Sequence, residues 1–127
     1  MTSETVRALE RMHALQIRHL PVLEGGAIVG VLSERDAALA LAAAPEASET
    51  MLVEEAMSAI PYCVSPSARI RDVAEHMAAR KLGCAIVTVD ERIVGLFTTT
   101  DAMQVLAGLL ETHGSFSPPP LPNAAAG

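Results

Sequence analysis

The sequence repeats itself at a fixed offset, and this repeat constrains the fold more than any other feature. When the second half of the chain is laid over the first, Leu9–Ala42 aligns with Ala74–Ala107 without a gap, and 11 of the 34 pairs are identical. The matches include pairs that a general bias toward Ala, Leu and Val would not bring into phase: Gly30 with Gly95 and Asp36 with Asp101. An internal repeat of this kind predicts two copies of one structural unit packed against each other.

Each copy has the same predicted order of elements: an amphipathic helix, two β-rich runs joined by a turn, and an Ala- and Leu-rich helix. The hairpin strands are His19–Leu23 and Ile28–Leu32 in the first copy, and Cys84–Val89 and Ile93–Phe97 in the second. In the second copy, a strand over Ile60–Val64 precedes the first helix; its counterpart in the first copy would fall before residue 1. The predicted fold is α/β, with two β-α-β-β-α units packed as a pseudo-two-fold pair and the first unit lacking its opening strand.

The pattern also predicts how the chain is divided. We expect residues 1–44 to form the first repeat, 45–52 a linker, 53–112 the second repeat and 113–127 a flexible Pro-rich tail. Val53–Met57 is expected to be a short lead-in helix. The alternative to a flexible end is that a protein domain that recognises polyproline II segments binds the tail.

Composition excludes several classes of protein. Half of the residues are apolar, enough for a core, but the longest purely apolar run, Ala37–Ala44, is far shorter than the roughly 18–20 residues of a membrane span. The N-terminus has no signal-peptide stretch, and two cysteines do not make a disulfide framework, so we expect a cytoplasmic protein.

Charge and residue pattern narrow the function further. The net charge is −6, and neither a basic patch nor an aromatic platform for nucleic acid is visible, so an anionic ligand would need a local cluster of donors. No residue set has the spacing of a nucleophile with its base, a metal centre or a carboxylate pair. We therefore expect no catalytic activity and no metal.

The duplicated motif resembles the CBS domain family, whose tandem pairs are called Bateman modules. The resemblance covers residues 3–112 and is carried by Ile17–Val22 (IRHLPV), Gly30–Asp36 (GVLSERD) and Gly95–Asp101 (GLFTTTD). The stretch VEEAM followed by VSPSARIRDVAEHM is similar to the usual opening of a second CBS copy. The resemblance implies a sensor that binds AMP, ADP, ATP or S-adenosylmethionine between the copies. It also implies a homodimer in the form of a four-domain disc, and an unidentified regulated protein as partner.

The turn from the last hairpin strand into the second helix is the candidate nucleotide site of each copy. A helix N-terminus suits a phosphate, and the cap hydroxyl of Ser33 or Thr98 can donate to a phosphate oxygen. The carboxylate of Asp36 or Asp101 can accept from ribose hydroxyls. We expect the better-formed site in the second copy, around Tyr62, Thr98 and Asp101.

Further candidates complete each site. Adenine would sit against the first strand and the hairpin, and Arg or His side chains nearby would supply charge for phosphate. The full candidate set is Tyr62, Cys63, Ala85, Ile86, Thr98, Thr100 and Asp101 in the second copy, and Arg18, His19, Pro21, Ser33, Arg35 and Asp36 in the first, with Lys81 as another cation.

Each of these features also has a structural interpretation. The S/T-x-x-D pattern is a capping box even without a ligand, and the two motif glycines can serve close packing. Cys63 and Cys84 can be inert thiols or a redox pair. The main alternative function is a ligand-free protein-interaction or dimerisation module, because a first copy without its opening strand can have lost its cleft.

Overall fold

The computed structural model describes residues 3–111, which form four α-helices and five β-strands. In chain order these are α1 (Glu4–Leu15), β1 (His19–Glu24), β2 (Ala27–Ser33), α2 (Glu34–Ala43), β3 (Cys63–Val64), α3 (Ile70–Arg80), β4 (Cys84–Val89), β5 (Arg92–Thr98) and α4 (Thr99–Leu109). Single 3-10 turns at Pro45–Ala47 and Val53–Glu55 lie between the two halves. Within this part of the chain, no helix is long and apolar enough to cross a membrane. The predicted tail, residues 113–127, lies outside the described range.

The two halves share one architecture apart from the opening strand. β1 and β2 form a two-stranded antiparallel sheet, whereas β3, β4 and β5 form a three-stranded sheet in which short β3 runs parallel to β4. Both hairpins carry an irregularity at the same position of the repeat, between Val22 and Leu23 and between Val87 and Thr88. The predicted α/β pair with a shortened first unit is confirmed over residues 3–111.

Two predicted elements are shorter than expected. The strand expected over Ile60–Val64 is reduced to β3, because Pro61 lacks an N–H and the residues ahead of it lie against β2 instead. The expected lead-in helix is a single 3-10 turn.

Both hairpin turns use two consecutive residues in the left-handed region. In the first repeat these are Gly25 (φ 58°) and Gly26 (φ 85°), and in the second they are Asp90 (φ 51°) and Glu91 (φ 65°). Two-residue hairpins favour such turns because their twist matches that of the strands. Glycine adopts this conformation freely, whereas a residue with a Cβ does so at a cost of about 1 kcal/mol.

The linker is fastened to the start of α1. The Ser3 hydroxyl caps the helix by accepting from the Val6 N–H at 3.1 Å. The fully buried Thr5 donates its N–H and its hydroxyl to the carbonyl of Met51, at 3.2 and 3.1 Å. A Glu4 carboxylate oxygen accepts from the Val53 N–H at 2.8 Å. These bonds fix where the chain enters the second repeat.

Each repeat has its own core, and the two cores share one equivalent methionine. Met12, Leu32 and Ala37 are completely or almost completely buried in the first repeat. Val73, Met77 and Ala85 form the core of the second repeat. Since Met12 and Met77 are aligned with each other in the repeat, the same helix position anchors both cores.

Candidate functional site

A cavity of about 520 Å³ lies between the two repeats, within the size range of small-molecule sites. Its walls come from the β2–α2 turn of the first repeat, from the segment leading to β3, and from the α3–β4 turn. The lining residues are His19, Val31, Ser33, Arg35, Asp36, Leu39, Ser58, Ile60, Tyr62, Lys81, Leu82, Gly83 and Cys84.

The segment before β3 reaches this cavity because it pairs with β2. The Val31 N–H donates to the Ser58 carbonyl at 3.0 Å, and the Ser58 N–H donates to the Val31 carbonyl at 2.8 Å. Gly30 makes room for this crossing, since a Cβ there would lie 2.5 Å from the Ser58 carbonyl oxygen and 2.6 Å from the Met57 sulfur. Gly30 therefore has a packing role.

The β2–α2 turn places a hydroxyl and a carboxylate on the cavity wall. The Ser33 hydroxyl accepts from the Asp36 N–H at 3.0 Å and so caps α2. Within residues 3–111 the Asp36 carboxylate, which is exposed, makes no hydrogen bond or ion pair. It remains able to accept from the hydroxyls of a ligand.

The equivalent turn in the second repeat is closed on itself. One Asp101 carboxylate oxygen accepts from the Thr98 N–H at 2.8 Å and from the Thr98 hydroxyl at 3.0 Å. The Asp101 N–H in turn donates to the Thr98 hydroxyl at 3.2 Å, which completes a capping box. Neither residue lines the cavity. The two S/T-x-x-D motifs thus differ in the state of their carboxylate, which accepts hydrogen bonds within the cap at Asp101 and does not do so at Asp36.

Basic side chains outnumber acidic ones around the cavity, against the −6 net charge of the chain. Arg35 and Lys81 line it from opposite repeats, and Asp36 is the acid among the lining residues. His19 lies against Gly83, where any Cβ would collide with the imidazole. Burial lowers the pKa of His19 below its ordinary value of 6.5; the Asp36 carboxylate acts in the opposite direction, and Arg18 lowers it further.

One part of the cavity wall is apolar although it is open to solvent. Ile60 is 84% exposed and Leu39 is 57% exposed, and both line the cavity. Nearby, the Tyr62 ring is stacked on His76 with a centroid distance of 4.1 Å and an interplanar angle of 23°. Exposed apolar side chains beside an aromatic ring suit a flat, partly apolar group such as a base.

The predicted site residues fall into different groups in the structure than in the sequence-based prediction. Six of the candidates line the cavity together: His19, Ser33, Arg35, Asp36, Tyr62 and Lys81. Sequence reasoning grouped Tyr62 with Thr98 and Asp101 because they belong to the same repeat. In the structure Tyr62 lines the cavity with Ser33 and Asp36 of the first repeat, and Thr98 and Asp101 do not line it. Which of these residues bind a nucleotide stays a prediction.

The other candidates lie outside this cavity. Ala85 and Ile86 are fully buried, and the Ile86 N–H is already bonded to the Tyr62 carbonyl at 2.8 Å. Cys63 is exposed and lines a separate cavity beside the first hairpin turn. The remaining three are the exposed Arg18, Pro21 in β1, and the exposed Thr100 in α4. Binding of a nucleotide by any of these residues stays a prediction.

Sequence reasoning missed several lining residues: Val31, Leu39, Ser58, Ile60, Leu82, Gly83 and Cys84. The motif carries no signal for Ser58 and Ile60, which reach the cavity by crossing to the other repeat. Gly83 did offer a signal, because a glycine just after a helix end and before a strand indicates either a turn or close approach of another group.

The two cysteines differ in exposure. Cys63 is exposed and Cys84 is buried, and both are free thiols. Burial raises the pKa of the Cys84 thiol above its ordinary value of 9.0, which keeps it protonated and unreactive. Among residues 3–111, no three or more His, Cys, Asp or Glu side chains are grouped to hold a metal ion.

The fold and the cavity together define a class: a tandem α/β repeat with a ligand-sized cleft between its copies. The family model described as the CBS domain matches residues 3–43 and 53–108, and the chain belongs to the CBS domain family as a tandem pair. Among curated proteins, no sequence matches this chain significantly.

Solved structures of CBS proteins have the same fold. A Vibrio cholerae protein provisionally named AcuB, for acetoin utilization, is 29% identical with a TM-score of 0.70, and the match covers 93% of this chain and 90% of that one. The CBS domain pair of protein MJ0100, solved with 5′-methylthioadenosine and S-adenosyl-L-methionine, is 24% identical with a TM-score of 0.72, covering 86% and 89%. The CBS-domain-containing protein ATU1752 from Agrobacterium tumefaciens is 23% identical with a TM-score of 0.71, covering 83% of each chain.

Proposed function

We propose that this chain is a regulatory module without catalytic activity that binds an adenosine nucleotide in the cavity between its repeats. The observation that carries the proposal is that one cleft holds the start of α2, two cations, an apolar wall and the Asp36 carboxylate, which has no hydrogen-bond partner in the described part of the chain. The MJ0100 pair binds adenosyl compounds, which supports ligands of the same class here.

Different residues of the cavity contact the ribose, the base and the phosphate of the ligand. The Asp36 carboxylate accepts from the ribose hydroxyls, and the base lies against Ile60, Leu39 and Tyr62. Backbone donors at the start of α2 are already used in part: the Glu34 N–H donates to the Arg18 carbonyl at 2.8 Å, and the Asp36 N–H to the Ser33 hydroxyl. A phosphate would therefore be held mainly by the side chains of Arg35 and Lys81.

This charge distribution favours a phosphorylated ligand over S-adenosylmethionine. A sulfonium cation would face Arg35 and Lys81 with one carboxylate to offset them, whereas AMP, ADP or ATP carries the complementary charge. We accordingly rank AMP, ADP and ATP above S-adenosylmethionine as ligands.

A thermal-unfolding series with adenosine, AMP, ADP, ATP and S-adenosylmethionine tests this proposal. A ligand at a hundred times its Kd stabilises a fold by about 2.7 kcal/mol, a shift in Tm on the order of 10 °C for a domain of this size. We expect the shift with the phosphorylated compounds.

Charge variants then test the role of the cations. Arg35→Gln and Lys81→Gln should each weaken AMP binding about tenfold, the effect of losing roughly 1.4 kcal/mol, and leave binding of adenosine almost unchanged. Arg18→Gln is the matched control, because Arg18 is exposed and does not line the cavity. Equal responses to AMP and adenosine in all three variants would contradict the assignment of the phosphate.

A second function, assembly into a homodimer, is favoured by a separate surface. An apolar cavity of about 480 Å³ lies between α3 and α4 and is lined in part by Ala74, Ala78 and Met103. On α4, Met103 is 63% exposed and Leu109 is 73% exposed. We propose that a second copy covers this face, consistent with the four-domain disc that the family resemblance implies; a regulated protein and a cytoplasmic location belong to the same proposal.

Sedimentation equilibrium tests the homodimer. The wild type should be dimeric at micromolar concentration and Met103→Glu monomeric. Leu39→Glu, which changes an apolar residue of similar exposure on α2, should stay dimeric. A monomeric wild type would refute the assembly and leave the nucleotide proposal intact.

A further inference from the structure

The Tyr62 side chain is held in place without a hydrogen bond. Its backbone is fixed, because the Ile86 N–H donates to the Tyr62 carbonyl at 2.8 Å. Within residues 3–111, the Tyr62 hydroxyl makes no hydrogen bond to another residue. The orientation of the ring is therefore set by the groups that pack against it.

The ring packs against the second repeat in two ways. It contacts the core formed by Val73, Met77 and Ala85, and it is stacked on the His76 imidazole with centroids 4.1 Å apart and planes inclined by 23°. Nearly parallel aromatic rings attract each other beyond the effect of the apolar area that they bury. Tyr62 lines the cavity between the repeats and His76 does not, so the imidazole covers a part of the ring that faces away from the cavity.

The repeat does not by itself require a histidine at position 76. The alignment equates Met77 with Met12, which belongs to the core of the first repeat, but it equates His76 with Arg11. Arg11 is exposed, whereas His76 is half-buried against Tyr62. An imidazole is therefore not needed to build this helix or its core, and its place in the second repeat is beside the tyrosine that reaches the cavity.

We propose that His76 is a positioning residue for the base of the nucleotide, because its stack on Tyr62 holds that ring in the orientation that meets the base. The inference rests on the proposed nucleotide function and adds to it a residue that does not touch the ligand. A side chain that is ordered only when a ligand binds reduces affinity, and a ring that is already held avoids this loss. His76 thus favours ligands that carry a base over a sugar phosphate alone.

Isothermal titration with two probes tests this role: AMP, and ribose 5-phosphate, which lacks the base. His76→Ala should weaken AMP binding about fivefold and leave binding of ribose 5-phosphate unchanged, because the base is the part of the ligand that meets Tyr62. His76→Gln, which removes the ring but keeps a polar side chain, should behave in the same way. His76→Phe keeps an aromatic ring against Tyr62 and should restore AMP affinity to within about twofold of the wild type.

Glu75→Ala is the matched control, since it truncates the neighbouring residue of α3. Glu75 is exposed and accepts from the Arg71 side chain at 3.0 Å, a surface contact that contributes little to stability. This variant should bind AMP and ribose 5-phosphate like the wild type. Thermal unfolding of every variant shows that each is folded at the temperature of the titration.

A Tyr62→Leu background shows whether His76 acts through the ring. In that background His76→Ala should cause no further loss of AMP affinity, whereas a general effect on the fold would reduce affinity in both backgrounds. The ligand-free chain gives a second readout, because Tyr62 is the sole tyrosine of the sequence and there is no tryptophan. Time-resolved anisotropy of the tyrosine fluorescence should show more local rotation in His76→Ala than in the wild type or His76→Phe.

The contrary outcomes separate this inference from the nucleotide proposal. If the wild type binds AMP and His76→Ala binds it equally well, the positioning role is wrong and the nucleotide proposal stands. Equal weakening of AMP and ribose 5-phosphate, the same loss in the Tyr62→Leu background, or unchanged local rotation of the tyrosine would also overturn the positioning role. A wild type that binds no AMP would overturn the nucleotide proposal itself, and this inference with it.

Discussion

Gly30 and Gly95 are equivalent by sequence, yet the structure gives them different surroundings. A methyl group at position 30 would lie 2.5 Å from the Ser58 carbonyl oxygen, 2.6 Å from the Met57 sulfur and 3.1 Å from the Met57 Cγ. Backbone cannot yield as a flexible side chain can, so Gly30→Ala must push residue 58 away from β2. The same substitution at position 95 meets nothing within 4 Å.

The loss of stability in Gly30→Ala can be estimated from the contacts that residue 58 loses when it is displaced. Displacing residue 58 weakens two hydrogen bonds with Val31, each worth about 1 kcal/mol. Overpacking of a close contact costs roughly 1–3 kcal/mol. Because some of this strain is relieved when the bonds lengthen, we expect Gly30→Ala to lower the free energy of unfolding by about 2–4 kcal/mol, and Gly95→Ala to leave it unchanged or raise it by up to about 1 kcal/mol.

Urea and thermal unfolding followed by far-UV circular dichroism measure both variants. Gly30→Ala should lower the Tm on the order of 10 °C, and Gly95→Ala should not lower it. Equal losses in the two variants, or none in Gly30→Ala, would show that the crossing of the repeats at Ser58 is not as described.

Three further predictions concern the second hairpin turn, the half-buried His19 and the two thiols. Glu91→Gly should raise the free energy of unfolding by about 0.5–1 kcal/mol in urea melts, because glycine relieves the left-handed φ of 65°; a loss of stability would refute that turn geometry. Burial depresses the pKa of His19, so the contribution of His19 to stability is present above pH 6.5 and is lost as the pH falls through the lower folded-state pKa. His19→Gln should therefore flatten the decline in Tm from pH 7 to pH 5. An unaltered dependence of Tm on pH in this variant would contradict the prediction. A thiol-alkylating reagent should modify the folded chain once, at Cys63, as detected by mass spectrometry. Rapid modification of Cys84 would show that this thiol is not buried.

The fold was largely predictable because its information is local and duplicated. Helical spacing, β-rich runs and S/T-x-x-D caps each predict an element, and the internal repeat gives each of these signals in both copies. The extent of the opening strand was overestimated, since Ile60 and Tyr62 are β-prone by type, but Pro61 between them has no N–H and both line the inter-repeat cleft. Tertiary contacts override such propensities.

The candidate site was predictable in its residue types and not in its partners. Ser33 and Asp36 stand in the motif, but no sequence pattern shows that they face Tyr62 of the other repeat. Likewise, Ser33–Asp36 and Thr98–Asp101 look alike in sequence, yet in the folded chain the Asp101 carboxylate accepts hydrogen bonds within its own cap. The two motif glycines are identical letters whose roles depend on a segment that lies beyond α2 and the linker, far from Gly30 along the chain.

Isothermal titration of AMP into the wild type and two matched variants tests the nucleotide cleft most directly. We predict that Asp36→Ala loses binding by tenfold or more, because the Asp36 carboxylate lines the cavity and has no hydrogen-bond partner among residues 3–111. Asp101→Ala should bind like the wild type after correction for its lower stability, because the Asp101 carboxylate is used within its own cap. If Asp101→Ala lost AMP and Asp36→Ala kept it, the ligand would bind elsewhere and the inter-repeat cavity would not be the site.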